Sequence, residues 1–320
     1  MSVKRFRLSR SFHRPRTITS KSRKCGMYTR TCWMSAPEAE LVLKWEREQA
    51  RLRESVKEED TEDWQRSPDF SGLERVGGVD LSFIKGDDIN ACAHLVVLTY
   101  PHMKVLYEDC KMVTLNAPYV AGFLGFREVP PLLQALKKLK NIQPNLMPQV
   151  LFVDGNGLFH HREFGLACHL GVLSDLPCVG VAKNLLHVEG VVRSEEHQSQ
   201  INALQKSGDS FPMATASGRV LGKALRSSQS SIKPVYVSVG HRITLDTAVR
   251  LTHTCCLYRV PEPIRQKPGD VLDILKQKFL FIQILAAWHC SHQSRLLWMS
   301  EADIRSREYL RCRDLASDIK

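Results

Sequence analysis

Asp80 lies inside the apolar run RVGGVDLSFI (75–84), and Asp154 closes another, in QVLFVDGNGLFHHR (149–162). Charged side chains are almost never buried without a partner, so a carboxylate in each run needs a reason. If the two runs are neighbouring strands, the carboxylates face each other and repel, which raises the proton affinity of one unless a cation lies between them. A hard divalent cation resolves that conflict. Mg²⁺ takes a few carboxylates and fills its remaining positions with water and phosphate oxygens. Glu128, in the Phe126-Arg127-Glu128 segment, is the candidate third ligand. Each acid alone reads better as a salt-bridge partner or a solvated strand end; the three together point to a metal. Zinc is disfavoured, because no His/Cys set has finger-like or HExxH spacing.

Other groups gather around the same positions. Lys183 follows the apolar run 179–182, as Asp154 follows its own, and His241 follows Val239-Gly240. A lysine at a strand end can hold a phosphate, and a histidine can move a proton or contact one. The alternative for His241 is a hydrogen-bonded loop histidine. Gly155 leaves the backbone free to turn and a ligand free to approach, and His160, His161 and Arg162 follow in the same loop. In Pro118-Tyr119-Val120-Ala121-Gly122, a proline-fixed turn presents a tyrosine that could enter a base stack, or simply pack at a helix start. Arg127, beside Glu128, is a candidate contact for nucleic acid.

The elements that must carry these residues can be placed by pattern. A helix starts near Ser35 and runs to about residue 56, with Leu41, Trp45 and Leu52 on one side. Strands at 75–84, 91–99 and 104–113, joined by short turns, form an antiparallel meander. Helical spacing over 121–139 is cut by Pro130 and Pro131 into a short piece carrying Glu128 and a longer one behind it. The Asp154 strand follows, then a helix over 164–173, strands at 178–182, 220–225 and 235–239, and a helix over 244–255 capped by Thr244. The sum is an α/β chain with a mixed β-sheet flanked by helices, and Asp154 at a strand's carboxyl end, where open sheets place ligands.

Composition limits the rest. The net charge is +11, and residues 1–37 hold ten Lys or Arg with no Asp or Glu, so nearly all of the excess lies in that arm. Such an arm reads as a solvated, disordered tail, a transit peptide or a nucleic-acid contact. Ten cysteines without a CxxC pair imply a reduced, intracellular protein whose thiols mostly fill the core. The longest apolar run, 279–288, is too short to cross a membrane. Residues from 263 onward have helical spacing at Val271, Ile274, Leu275 and Phe279 and carry no evident chemistry. The expected organisation is a basic arm over 1–36, a catalytic domain over 37–262 and a tail over 263–320.

Seven ordered segments resemble the endonuclease V family of inosine-directed nucleases, and most closely its mammalian members. They are RVGGVDLSF (75–83), APYVAGFLGFREVP (117–130), QVLFVDGNGLFHHREFGLACHLGV (149–172), LPCVGVAKNLL (176–186), GDSFP (208–212), LGKALRS (221–227) and YVSVGHRITLDTAVRL (236–251). The resemblance covers roughly residues 38–263; the two ends do not match. It implies a ribonuclease H-like fold and Mg²⁺-dependent cleavage at the second phosphodiester 3′ to a deaminated adenine, with Mn²⁺ as a substitute ion and 3′-hydroxyl and 5′-phosphate ends. It also implies that Asp80, Glu128 and Asp154 are the metal-binding carboxylates, Tyr119 the wedge tyrosine, and Lys183 and His241 neighbours of the scissile phosphate. Pro118, Gly122, Arg127, Gly155 and His160 join Tyr119 and Lys183 as expected nucleic-acid contacts. The expected substrate is inosine-containing single-stranded RNA, with deoxyinosine DNA as the alternative and a non-cleaving inosine binder as the rival class. A monomer without membrane contact, in cytoplasm and nucleus or nucleolus, completes the expectation, with the basic arm able to redirect it to mitochondria.

Overall fold

The computed structural model describes residues 36–83, 86–188 and 190–266. The basic arm with its Ser35 cap, and the tail's helical and apolar patterns from 267 onward, lie outside the described residues. In chain order the elements are α1 (Ala36–Arg53), α2 (Asp63–Arg66), β1 (Arg75–Phe83), β2 (Asn90–Thr99), β3 (Val105–Thr114), α3 (Leu124–Ile142), β4 (Val150–Asp154), α4 (Leu166–Ser174), β5 (Cys178–Ala182), α5 (Glu195–Ala203), β6 (Ser210–Ala214), β7 (Val220–Leu225), β8 (Val235–His241), α6 (Leu245–Thr254) and α7 (Glu262–Arg265). The chain divides after Lys44, and the unit that begins at Trp45 carries the sheet and all of the candidate residues.

Eight strands form one sheet in the order β3-β2-β1-β4-β5-β8-β7-β6. The expected meander is present: β1 pairs antiparallel with β2, and β2 with β3. β4 then lies parallel to β1, and β5 parallel to β4. Beyond β5 the direction reverses, with β8 antiparallel to β5, β7 to β8 and β6 to β7. β4 and β5 read as unbroken apolar runs because both faces of the central sheet are covered. On one face Val79, Leu95, Leu151 and Val153 pack with Val129, Leu132, Leu136 and Leu139 of α3. On the other, Val76, Phe152 and Val237 pack with Ala248 and Leu251 of α6 and Ile264 of α7. Full burial of such side chains contributes about 1.5–3 kcal/mol each.

Several expectations need correction. Pro130 and Pro131 do not cut the helix, because α3 runs unbroken through both. Their missing N–H groups cost two helical hydrogen bonds, but their φ is helical, and the stripe of Val129, Leu132, Leu136 and Leu139 holds the segment against the sheet. α5 and β6 were not anticipated. Their sequences are polar or short and carry little periodicity, and tertiary pairing decides them. Thr244 does cap α6, its side chain accepting from the Thr247 N–H. Pro263 and Ile264, at the start of the expected tail, are buried. A Cβ on Gly78 would stand 1.7 Å from the Pro263 carbonyl oxygen, so β1 needs glycine there for α7 to dock. Cys92 on β2 and Cys110 on β3 are paired as a disulfide, their Cα atoms 6.3 Å apart. Cys168, Cys178 and Cys255 are buried free thiols, as expected of core fillers.

Candidate active site at the carboxyl ends of β1 and β4

Val79 lies level with Val153 in the parallel pairing of β1 and β4. The next residues, Asp80 and Asp154, therefore occupy neighbouring positions, and because strand side chains alternate, they share a face. The third acid comes from α3, which approaches closely because Gly125 has no side chain: a Cβ there would stand 2.4 Å from the ring Nδ1 of His169 on α4. Trp45 stacks on Phe126 at 5.1 Å and presses the same turn inward. Glu128 is thereby buried beside the strand ends. Burial raises its carboxyl to a pKa of about 7, reinforced by the negative charges of Asp80 and Asp154 and opposed by Arg127. The three expected acids converge.

The basic partner converges too. Asp154 pairs with Val181 across β4 and β5, so Lys183 leaves β5 beside it, and its ammonium forms a salt bridge with the Asp154 carboxylate. Asp80 accepts a hydrogen bond from the Ser82 hydroxyl at 3.0 Å. An all-oxygen set with one strongly basic carboxyl is the donor chemistry of a hard divalent ion. The set does not form a closed cage: among the described residues, no three His, Cys, Asp or Glu side chains are grouped to hold an ion as they stand.

His241 is not part of this cluster. β8 runs antiparallel to β5, so His241 lies opposite Cys178, at the far end of the sheet from Asp154. It is buried there, its Nδ1 accepting from the Lys57 N–H at 3.3 Å and its Nε2 3.5 Å from Asp175. Burial lowers its pKa despite Asp175. The sequence analogy with Lys183 failed because strand direction is invisible in a short apolar run; His241 is the last residue of β8, hydrogen-bonded in place at the opposite end of β5 from Lys183.

The tyrosine loop is positioned by residues that carry no motif. Gln49 of α1 donates from its amide to the carbonyls of Gly122 and Phe164, both at 3.0 Å, tying this loop to the one after β4. Gly122 has φ +88°, and a Cβ would meet the Arg162 guanidinium at 2.9 Å, so it shapes the turn. Arg162 in turn lies over the Phe123 ring and pairs with Glu46. Arg127 is buried, donating to the Ala117 carbonyl at 3.2 Å, and braces the loop from below. Tyr119 itself is 65% exposed. Beside it opens a cavity of about 600 Å³ lined by Phe83, Asp87, Asp88, Tyr119, Arg127 and Glu128, with Gly86 at its edge.

The remaining expected contacts divide. His160 is half-buried, and burial together with His161 and Arg162 lowers its pKa to about 4. Its Nδ1 accepts from the Arg162 N–H at 3.3 Å. Gly155 adjoins Leu166. The loop after β4 closes on β5 and β8: a Cβ on Gly180 of β5 would stand 2.5 Å from the Gly157 nitrogen, and one on Gly157 would stand 1.9 Å from the Val239 carbonyl oxygen. These glycines serve strand packing. Between them, the Asn156 side-chain oxygen is buried without a hydrogen-bond partner, an acceptor next to Asp154 that the sequence reading passed over.

A profile of the family described as Endonuclease V matches residues 50–267. Human Endonuclease V is 60% identical over 230 residues, covering 72% of this chain and 82% of the relative, and the mouse protein is 60% identical over 72% of this chain and 68% of its own length. The crystal structure of the catalytic domain of human Endonuclease V superposes with a TM-score of 0.72 at 56% identity, covering 77% of this chain and 98% of that one. Endonuclease V of Ciona intestinalis, solved with a 23mer DNA containing an inosine followed by a ribo-adenosine, gives a TM-score of 0.69 at 36% identity over 76% of this chain and 99% of that one. With its sheet and its acidic edge accounted for, the chain belongs to the endonuclease V family, and is a nucleic-acid-cleaving hydrolase.

Proposed function

We propose that this endonuclease cuts inosine-containing single-stranded RNA at the second phosphodiester bond 3′ to the inosine, leaving 3′-hydroxyl and 5′-phosphate ends, and that it requires Mg²⁺ or Mn²⁺. The observation that carries the reading is the convergence of Asp80, Asp154 and Glu128, with the Glu128 carboxyl raised to about 7 by burial and by the other two charges. Asp80, Asp154 and Glu128 would hold the ion, which when bound polarises the phosphate and lowers the pKa of a coordinated water. Lys183, paired with Asp154 in the free chain, turns its ammonium to the scissile phosphate when substrate arrives and offsets its growing negative charge. Tyr119 offers an exposed ring for the step vacated by an extruded base. The cavity beside it, between Phe83 and Arg127, is where that base would be held.

Single-stranded RNA is preferred as substrate because the strand held by the Ciona intestinalis relative carries a ribonucleotide directly after the inosine, and the 2′-hydroxyl is the group that separates RNA from DNA at a given position. That relative was nevertheless solved with DNA, which supports deoxyinosine DNA as the second substrate. The test is cleavage of matched single-inosine RNA and DNA strands with Mg²⁺, Mn²⁺ or EDTA. RNA cleavage that needs metal and disappears in Asp80→Ala is expected. A clear DNA preference would overturn the choice of substrate, and equal activity in EDTA would overturn the metal.

A further inference from the structure

A second cavity, also of about 600 Å³, opens on the β5–β8 side of the carboxylates. We propose that it holds the nucleic-acid strand beyond the cut, binding a backbone phosphate and the nucleotide attached to it. This rests on the nuclease reading above and names where the leaving strand lies.

Five cationic side chains line the cavity: Lys183, Arg193, Arg226, Lys233 and Arg259, and among the described residues no acid does. Two are fixed in place by main-chain carbonyls, and Arg226 also acts on the Asp209 carboxylate from outside the cavity lining. Arg226 donates to the Leu204 and Gln229 carbonyls at 2.6 and 3.3 Å, while its Nε is buried with no partner. Arg259 donates to the carbonyls of Lys233, Pro234 and Lys183. Arg193 and Lys233 are exposed. Fixed guanidiniums with exposed cations beside them suit a polyanion, and Ile232, 74% exposed, adds apolar surface for a ribose or base.

Continuity with the catalytic edge selects the occupant. Lys183 belongs to both places: its ammonium is on Asp154, and its carbonyl is held by Arg259 at the cavity. Glu128 likewise joins the carboxylates to the Tyr119 cavity. Along the strand order, the Tyr119 cavity lies on the β1 side of Asp154 and the basic cavity on the β5 side. A single strand whose inosine is held near Tyr119 and whose cut falls at Asp154 therefore continues toward Arg193 and Lys233 with its 3′ arm.

The test compares the full chain with Arg193→Ala/Lys233→Ala and with the charge-keeping Arg193→Lys/Lys233→Arg. In the first arm, a 5′-phosphorylated, fluorescein-labelled RNA pentanucleotide is titrated at several salt concentrations in EDTA. Loss of two phosphate contacts weakens binding on the order of tenfold and reduces the log–log salt slope by about 1.4, at roughly 0.7 per contact for single strands, and the charge-keeping variant restores both. In the second arm, inosine RNAs ending one or six nucleotides 3′ of the cut are cleaved. The long strand is expected to be preferred by the unsubstituted chain, and the preference to collapse in the alanine variant. An unchanged salt slope, or a preference that survives the substitution, overturns the proposal. A chain that cuts neither strand refutes the nuclease reading instead, and the titration then decides the cavity alone. Melting curves for all three proteins confirm that these exposed substitutions leave the fold intact.

Discussion

Glu128→Gln separates the cost of assembling the acidic cluster from its use. A carboxyl whose pKa rises from 4.5 to about 7 on folding favours the folded state while it holds its proton. That contribution is fully present below about pH 4.5, is lost as pH rises toward 7, and is constant beyond, because folded and unfolded states are then both ionised. At about 1.4 kcal/mol per pH unit, the wild-type chain loses about 3 kcal/mol across this window. Glutamine cannot ionise, so without metal the variant should match the wild type near pH 4.5 and exceed it by up to about 3 kcal/mol at pH 8.5. For a body of this size that is about 6–12 °C in melting temperature. The assay is thermal or urea unfolding in EDTA at pH 4.5, 6, 7 and 8.5. Added Mg²⁺ should recover stability in the wild type more than in the variant, since one ligand is missing, while cleavage falls at least about a hundredfold. Parallel stability–pH curves for the two proteins would refute the burial argument. A variant that is more stable at high pH and still fully active would keep the electrostatics and remove Glu128 from the chemistry.

Three further perturbations test other parts of the reasoning. Tyr119→Ala should leave melting unchanged, since the ring is 65% exposed, yet lower cleavage about tenfold, with Tyr119→Phe close to wild type; an unaffected alanine variant would remove the ring from substrate contact. His241→Ala should lower stability by about 1–3 kcal/mol through its lost buried partners while kcat stays within about twofold, and a drop in kcat of more than about tenfold in folded protein would contradict its placement at the far end of the sheet. Gly78→Ala should fail to fold or lose more than about 3 kcal/mol, because its methyl would stand 1.7 Å from the Pro263 oxygen; near-neutral unfolding data would mean that α7 can shift off β1.

What could be read in the sequence follows from where the physics is local. Asp80 and Asp154 were visible because an acid in an apolar run is costly wherever it lies, and a lysine after such a run carries the same signal; all three meet in space. His241 carried the same surface pattern and proved different, because strand direction depends on pairing partners that no short run encodes. Glycine misled in a related way. Gly155-Asn156-Gly157 reads as room for a ligand, but the room at Gly157 is taken by the Val239 carbonyl, and the unpartnered group lies between the glycines, on Asn156. The basic cavity was the hardest to foresee. Arg193, Arg226, Lys233 and Arg259 are scattered over three connections and acquire a common purpose only when β8 returns antiparallel beside β5 and α5 closes over it. Net charge could not reveal it either, since the basic arm dominates the total. The carboxylates of such a site are announced by the local cost of burying charge, whereas a groove for a flexible polyanion is built from exposed cations that cost nothing locally. Its detection therefore depends on topology, and the strand-length preference is the measurement on which that distinction rests.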